Sequence, residues 1–334
     1  MNEQDSSSLD LFQTPVRDEL ETLESNFRQI LRSDIPIIDE ICTAMAEAPG
    51  KRIRPSILFL AARASGGRPE ASETAGLAIE LVHTATLLHD DIIDGHETRR
   101  GRPTVYAKWG PEAATIMGDF LYSKAFSCLG DAGLSGIMEI LSRVTNLMSI
   151  GEMIQLEHRR NIDVNEDGYM ELIYRKTASL FSASSECGAM LGESSNGYRR
   201  HLSSFGRDIG LAFQITDDLF DYIAVDGSIG KPVASDFSEG RVTLPFITAF
   251  RNAPDMKRRR VSELFHNGFD RRRHWPEVVS FVRDYGGVEY CFRRARELGE
   301  SAKDSLGSLS PSMERDALCS AADYVVDRVF PFTA

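Results

Sequence analysis

The stretch EASETAGLAIELVHTATLLHDDIID, residues 70–94, decides the fold. Its apolar residues Ala75, Leu77, Ala78, Ile79, Leu81, Val82, Ala85, Leu87 and Leu88 cover nearly the whole circumference of a helix rather than alternating. A helix that is apolar all round lies inside a bundle. Other long segments show the same period, and strand signals (β-branched alternation bounded by tight turns) are nearly missing. Thr14-Pro15, Asp34-Ile35-Pro36, Ala48-Pro49-Gly50, Ser65-Gly66-Gly67, residues 95–103, Gly110-Pro111 and residues 226–232 punctuate the chain as loops or helix boundaries. About a dozen helices in one all-α domain over residues 15–334 are expected, with residues 1–14, mostly polar, forming a frayed N-terminal segment.

The 334 residues are 42% hydrophobic and 26% charged, ordinary for a globular chain with a large core. No apolar run approaches the roughly 20 residues of a membrane span. The start, MNEQDSSS, has neither a basic n-region nor an apolar h-region, so a cytoplasmic location is expected. Five cysteines at 42, 128, 187, 291 and 319 never fall at C-x-x-C spacing, which suits free thiols in a reducing compartment. A net charge of −12 argues against a nucleic-acid partner. The basic runs 257–260 and 271–273 read as solvated helix ends.

The helix 70–91 runs into Asp90, Asp91 and Asp94. Asp90 and Asp94 share a face one turn apart, and Asp91 flanks them. Three carboxylates in about one turn repel one another and are costly beside a core, so a hard divalent cation with oxygen ligands is the natural neutraliser. LLHDDIID at 87–94 is echoed by QITDDLFD at 214–221, where Asp217, Asp218 and Asp221 repeat the D-D-x-x-D spacing after the mainly apolar run 209–215. One acidic triplet is usually a solvated helix end; two, each after an apolar helix, are a matched pair. Facing clusters of this kind could hold magnesium, which keeps coordination positions open for substrate phosphates.

Basic residues accompany both clusters. Lys51 and Arg54 in GKRIRP (50–55) stand at i, i+3 and can reach one anion near a helix start. Arg99-Arg100-Gly101-Arg102 follows the first cluster, Lys176-Thr177 leads into a helical stretch, and Lys231 follows the second cluster.

Residues 45–250 resemble the trans-polyprenyl diphosphate synthases. The resemblance is carried by DDIIDGHETRRG at 90–101, GLAFQITDDLFD at 210–221, GKRIRP at 50–55 and Lys176-Thr177. It implies a bundle around a deep central cavity, homodimerisation, and an enzyme that joins isopentenyl diphosphate repeatedly to an allylic diphosphate. Asp90, Asp91, Asp94, Asp217, Asp218 and Asp221 would hold magnesium. Arg99, Lys176, Thr177, Gln214 and Lys231 would contact the allylic diphosphate, and Lys51, Arg54, His83 and Arg100 the isopentenyl diphosphate. Catalysis would rest on Asp90, Asp91, Asp94, Lys176, Asp217 and Lys231. The family's E-G-K-x-T-L-P reads Glu239-Gly240-Arg241-Val242-Thr243-Leu244-Pro245 here. Arginine keeps the charge but not the geometry of lysine, which puts a diphosphate contact from position 241 in doubt.

A class I terpene cyclase shares D-D-x-x-D but has no second diphosphate site to use Lys51, Arg54 and Arg100. A non-catalytic subunit would have lost an aspartate cluster. A di-iron bundle finds E-x-x-H at Glu80/His83 and Glu263/His266 but leaves the aspartates unexplained. The growing product is expected to run down the helix before the first cluster, past Ala85, Thr86, Val82 and Ile79. Ala85 and Thr86 are small enough to let a hexaprenyl to decaprenyl tail pass.

Overall fold

The computed structural model describes residues 3–47, 50–67, 69–192, 195–223, 235–266 and 271–329. The expected all-α architecture is observed. Helices α1 (Glu3–Gln13), α2 (Arg17–Ile30), α3 (Pro36–Ala46) and α4 (Ile53–Ala64) lead to the long α5 (Pro69–Ile93). A hairpin of two-residue strands, β1 (Thr98–Arg99) and β2 (Arg102–Pro103), connects α5 to α6 (Val105–Asp131). Next come α7 (Ser135–His158), α8 (Glu166–Ile173), α9 (Ser179–Met190), α10 (Ser195–Ile223), α11 (Ser235–Glu239) and α12 (Leu244–Asn252). The chain closes with α13 (Asp255–His266), α14 (Arg271–Asp284), α15 (Gly287–Ser305) and α16 (Met313–Asp327).

The aspartate clusters fall at the C-terminal ends of α5 and α10. Helix α5 is buried from Ala75 to Leu88 against α4 and α6, and α10 packs on α9, α15 and α16. Gly110, at φ 86°, and Pro111 kink α6 where a boundary was expected. No helix among the described residues is long and apolar enough to cross a membrane.

The N-terminal segment differs from expectation. Residues 1–14 were expected to fray, yet α1 is formed and docks on α16. Phe12 is fully buried against the Tyr324 ring at 5.6 Å, and Leu9 is buried as well. Burying a Phe side chain stabilises by about 1.5–3 kcal/mol, enough to hold a polar helix in place. The basic run 257–260 lies on an exposed helix face, where Arg258 pairs with Asp255 and Arg260 with Glu277, as read from the sequence.

Between α8 and α9, Tyr174–Ala178 form one turn of π-helix carrying Lys176 and Thr177. Such a wide turn shifts side chains out of the α-helical register and is frequent at functional sites. Two glycines let it approach its neighbours. A Cβ on Gly151 of α7 would meet Lys176 N at 2.8 Å, and one on Gly210 of α10 would meet Ala178 Cα at 2.6 Å. The π-turn is thereby seated between α7 and α10, the helix that bears the second cluster.

Candidate active site

All six aspartates line one cavity of about 2540 Å³, together with Lys51, Arg54, His83, Arg99, Arg100, Lys176, Thr177 and Gln214. Thus the structure brings every candidate metal and diphosphate residue it describes into one cavity. Lys231, and the loop 226–232, lie outside the described residues.

Burial makes the acidic groups expensive in the absence of a cation. It pushes the Asp90 carboxyl up to about 6, against the pull of Lys176 and with the help of Glu152 and Asp94. Asp218 is raised well above the carboxylate range by burial and then by Asp236. Its two oxygens accept from Tyr169 Oη at 2.6 Å and Gln214 Nε2 at 2.8 Å. For Asp94, burial works in the same direction but Arg241 outweighs it, and the net shift is downward. Asp91 accepts from Arg99 Nε at 2.9 Å, Asp94 from Arg159 at 2.6 Å and from Arg241. Asp221 accepts from the Asp236 backbone N–H at 2.9 Å, and Arg328 lies 3.8 Å from Asp217. An all-oxygen donor set of closely grouped carboxylates, with Asp90 and Asp218 pushed toward protonation by burial, suits a hard divalent cation.

Lys176 and Thr177 share a π-turn but serve different clusters. The Lys176 ammonium pairs with Glu152, donates to Gln155 at 3.1 Å and stands 3.9 Å from Asp90. The Thr177 hydroxyl donates to Gln214 Oε1 at 2.8 Å, and Gln214 passes the contact on to Asp218.

The same cavity carries a second basic group. Lys51 Nζ donates to Tyr324 Oη at 2.7 Å. Arg54 is buried over the Phe181 ring at 4.3 Å, which pulls its guanidinium down to about 10, and it donates to His83 Nε2 at 3.2 Å. His83 is therefore a neutral acceptor, held well below its ordinary range by burial and by Arg54. Arg52 and Arg100 both hold left-handed backbone, at φ 51° and 53°. Such conformations cost on the order of 1–3 kcal/mol each in a residue other than glycine and persist only where the surroundings enforce them.

Arg241 makes no diphosphate-like exposed fork. It pairs with Asp94, Glu239 and Asp236. Asp94, His96 and Glu239 offer ligand atoms within 4.8 Å of one another, but Arg159 and Arg241 already supply the positive charge there. Arg159, Glu152, Tyr169, Tyr324 and Arg328 were not read from the sequence. Only the position of Arg241 carried a signal, through the motif it interrupts.

The expected product-length stripe is split. Thr86 lines the cavity, whereas Ala85, Val82 and Ile79 are fully buried and do not. At 3.6 residues per turn, Ala85 and Leu87 point to nearly opposite sides of α5, and Leu87 is on the cavity wall. Val82 and Ala85 share the face of His89, whose ring reaches Thr115 O at 3.2 Å and lies 5.9 Å from Tyr122 on α6. That face meets α6, where His89, Thr115 and Tyr122 also line the cavity. Of the di-iron candidates, Glu80 is paired with Arg52 and Glu263 is exposed off the cavity wall.

Comparison with known proteins agrees with this geometry. The family model described as polyprenyl synthetase matches residues 35–282. The octaprenyl diphosphate synthase of Haemophilus influenzae is 34% identical over 98% of this chain and 99% of its own length. A short chain isoprenyl diphosphate synthase of Methanothermobacter thermautotrophicus is 38% identical over 84% of this chain and 87% of its own. The crystal structure of a polyprenyl synthase from Caulobacter crescentus, complexed with calcium and isoprenyl diphosphate, superposes with a TM-score of 0.92 at 29% identity, covering 96% and 98% of the two chains. With two aspartate clusters and their basic partners in one cavity, this chain belongs to the polyprenyl synthetase family and is a trans-prenyltransferase.

Proposed function

We propose that the protein condenses isopentenyl diphosphate repeatedly with an allylic diphosphate and releases a long all-trans polyprenyl diphosphate. The observation that carries this reading is that one cavity is lined by two aspartate clusters and by two sets of residues suited to a diphosphate. The aspartates with Lys176, Thr177 and Gln214 form one, and Lys51, Arg54, His83 and Arg100 the other. Each of two anionic substrates would then have its own set.

Asp90, Asp91, Asp94, Asp217, Asp218 and Asp221 would hold magnesium. When bound, the metal supplies positive charge against the allylic diphosphate and favours its departure. Lys176 adds a fixed ammonium beside Asp90, Arg99 a guanidinium beside Asp91, and Thr177 and Gln214 hydrogen-bond donors beside Asp218. Lys51, Arg54 and Arg100 hold the second diphosphate so that the isopentenyl double bond meets the allylic carbon. Among the described residues no side chain at the site is an evident base for the proton lost after coupling, and the departed diphosphate is the acceptor at hand. Apolar walls, including Leu87, Leu88, Phe213 and Met148, exclude water from the allylic cation.

The protein is read as a cytoplasmic homodimer. Five cysteines without disulfides suit a reducing compartment, and exposed Ile116 on α6 with Ile150 and Met153 on α7 offer apolar surface for a second copy. The deciding experiment incubates pure protein with isopentenyl diphosphate and individual allylic primers in magnesium and sizes the products. Chains of hexaprenyl to decaprenyl length are expected. Products that end at farnesyl or geranylgeranyl overturn the long-chain assignment, and no condensation at all overturns the reading.

A further inference from the structure

We propose that Arg52 is a positioning residue, and that Glu24 in the N-terminal helix α2 and Glu80 in α5 clamp it so that Lys51 and Arg54 face the isopentenyl diphosphate. The inference rests on the substrate division proposed above.

The three basic residues at the start of α4 point in three directions. Lys51 goes to Tyr324 of α16, Arg54 goes to His83 of α5 and Phe181 of α9, and Arg52 goes to the N-terminal helices. The Arg52 fork binds Glu24 through Nε at 2.6 Å and Nη2 at 3.2 Å, while its Nη1 pairs with Glu80. Its guanidinium also lies 5.0 Å from the centre of the Phe27 ring. Two carboxylates and an aromatic face thus hold one side chain with little exposure, the bidentate arrangement for which arginine is suited.

The backbone bears the imprint of that clamp. Arg52 is the cap residue of α4 and holds φ 51°, a left-handed conformation that a side chain other than glycine adopts only when held. Its carbonyl accepts from Ser56 N–H at 3.0 Å and Ser56 Oγ at 2.7 Å, which starts α4. Gln13 of α1 donates to the Lys51 carbonyl at 2.8 Å and to Ser56 Oγ at 2.9 Å. Both Gln13 and Glu24 precede residue 35, where the match to the family model begins.

Were Arg52 to relax into the right-handed region, the peptide between it and Lys51 would rotate and Lys51 would leave its direction toward the cavity. Glu80 also sits one turn before His83 on α5, so one carboxylate ties the loop to the helix face that presents His83. It further keeps Arg52 neutralised, so that this cation does not compete with Lys51 and Arg54 for the diphosphate.

The test compares Glu24→Gln, Arg52→Gly and Lys51→Ala by steady-state kinetics and thermal denaturation. Glycine adopts the left-handed backbone freely, so Arg52→Gly separates loss of the clamp from loss of the turn. Both clamp variants should raise KM for isopentenyl diphosphate roughly tenfold, as expected for a displaced anion-binding group, and leave KM for the allylic substrate within about twofold. A lowered melting temperature with both KM values unchanged would make Arg52 structural only and overturn the proposal. So would an isopentenyl diphosphate KM at the wild-type value in both variants while Lys51→Ala raises it. If Lys51→Ala itself leaves that KM unchanged, the substrate division fails, and the clamp's function falls with it.

Discussion

Arg241 donates to Asp94 across 147 residues of sequence, at the position where the family pattern has lysine. With Arg159 on the other carboxylate oxygen, Asp94 is held between two guanidiniums. Both must yield some of that hold for Asp94 to serve a cation. Arg241→Ala removes one competitor and leaves Asp94 paired with Arg159. Calorimetric titration of the variant with magnesium should therefore show tighter binding, and the magnesium concentration for half-maximal activity should fall several-fold, on the order of one lost charge-assisted hydrogen bond. Unchanged or weaker binding would mean that Arg241 supports the metal site instead of competing for it.

The aspartates should be dispensable for folding and indispensable for turnover. Asp90 is costly as a buried anion, so Asp90→Asn relieves repulsion with Asp94 and Glu152. Asp90→Asn and Asp217→Asn should melt at or near the wild-type temperature while turnover drops by roughly 10²–10³ or more, the scale of lost charge stabilisation. Excess chelator should abolish activity of the wild type. Full turnover in chelator, or unfolding of both variants, would contradict the metal assignment.

How much of this was legible in the sequence depends on the range of the interaction. The helix α5 and both aspartate clusters were readable because a 3.6-residue period and a D-D-x-x-D spacing are local patterns. The π-turn at Lys176 was not, since its shape comes from the close approach of Gly151 and Gly210. The pairing of Asp94 with Arg159 and Arg241 spans 65 and 147 residues, beyond any local signal. Residues 1–14 looked polar because only Leu9 and Phe12 mark the buried side of α1, and the ring that receives Phe12 is at the other end of the chain. The distance of Ala85 from Asp90 gave its depth along α5 but not its side, because which side of an all-apolar helix meets a cavity is decided by its neighbours.

The two groups of basic residues predict opposite kinetic signatures. Lys51→Ala and Arg54→Ala should raise KM for isopentenyl diphosphate by roughly tenfold or more, with a smaller effect on the allylic partner. Lys176→Ala, which strips the ammonium beside Asp90 and Glu152, should do the reverse. Equal weakening of both substrates by both sets would erase the division between them.

His83 gives a pH signature of its own. Burial and Arg54 keep its folded pKa well below 6.5, whereas an unfolded histidine titrates near about 6.5. Above that pH both states are neutral, and the group contributes nothing. As pH falls below it, the unfolded chain binds a proton that the folded chain refuses, so stability is lost on the acid side by an amount approaching about 1.4 kcal/mol per pH unit. His83→Gln removes this term. Between about pH 7 and 5, the melting temperature of wild type should fall more steeply than that of His83→Gln. Parallel slopes would show that His83 takes up a proton in the folded protein.

Product length tests which side of α5 the growing chain follows. Thr86 is on the cavity wall with Leu87, and Tyr122 of α6 and Met148 of α7 line the same cavity. Ala85 is fully buried on the side of α5 toward α6 and is not itself on the cavity wall. A phenylalanine at 86 enters the cavity between Asp90 and Tyr122, so Thr86→Phe should stop elongation early. The product should shift toward farnesyl or geranylgeranyl diphosphate while the first condensations continue. A phenylalanine at 85 must instead displace packed side chains. Ala85→Phe should cost about 1–3 kcal/mol in stability through overpacking, with a smaller change in product length than Thr86→Phe. Sizing the products of both variants beside their melting temperatures separates the two paths. If Ala85→Phe shortens the product at unchanged stability and Thr86→Phe does not, the tail runs through the α5–α6 seam, and the seam must open to admit it.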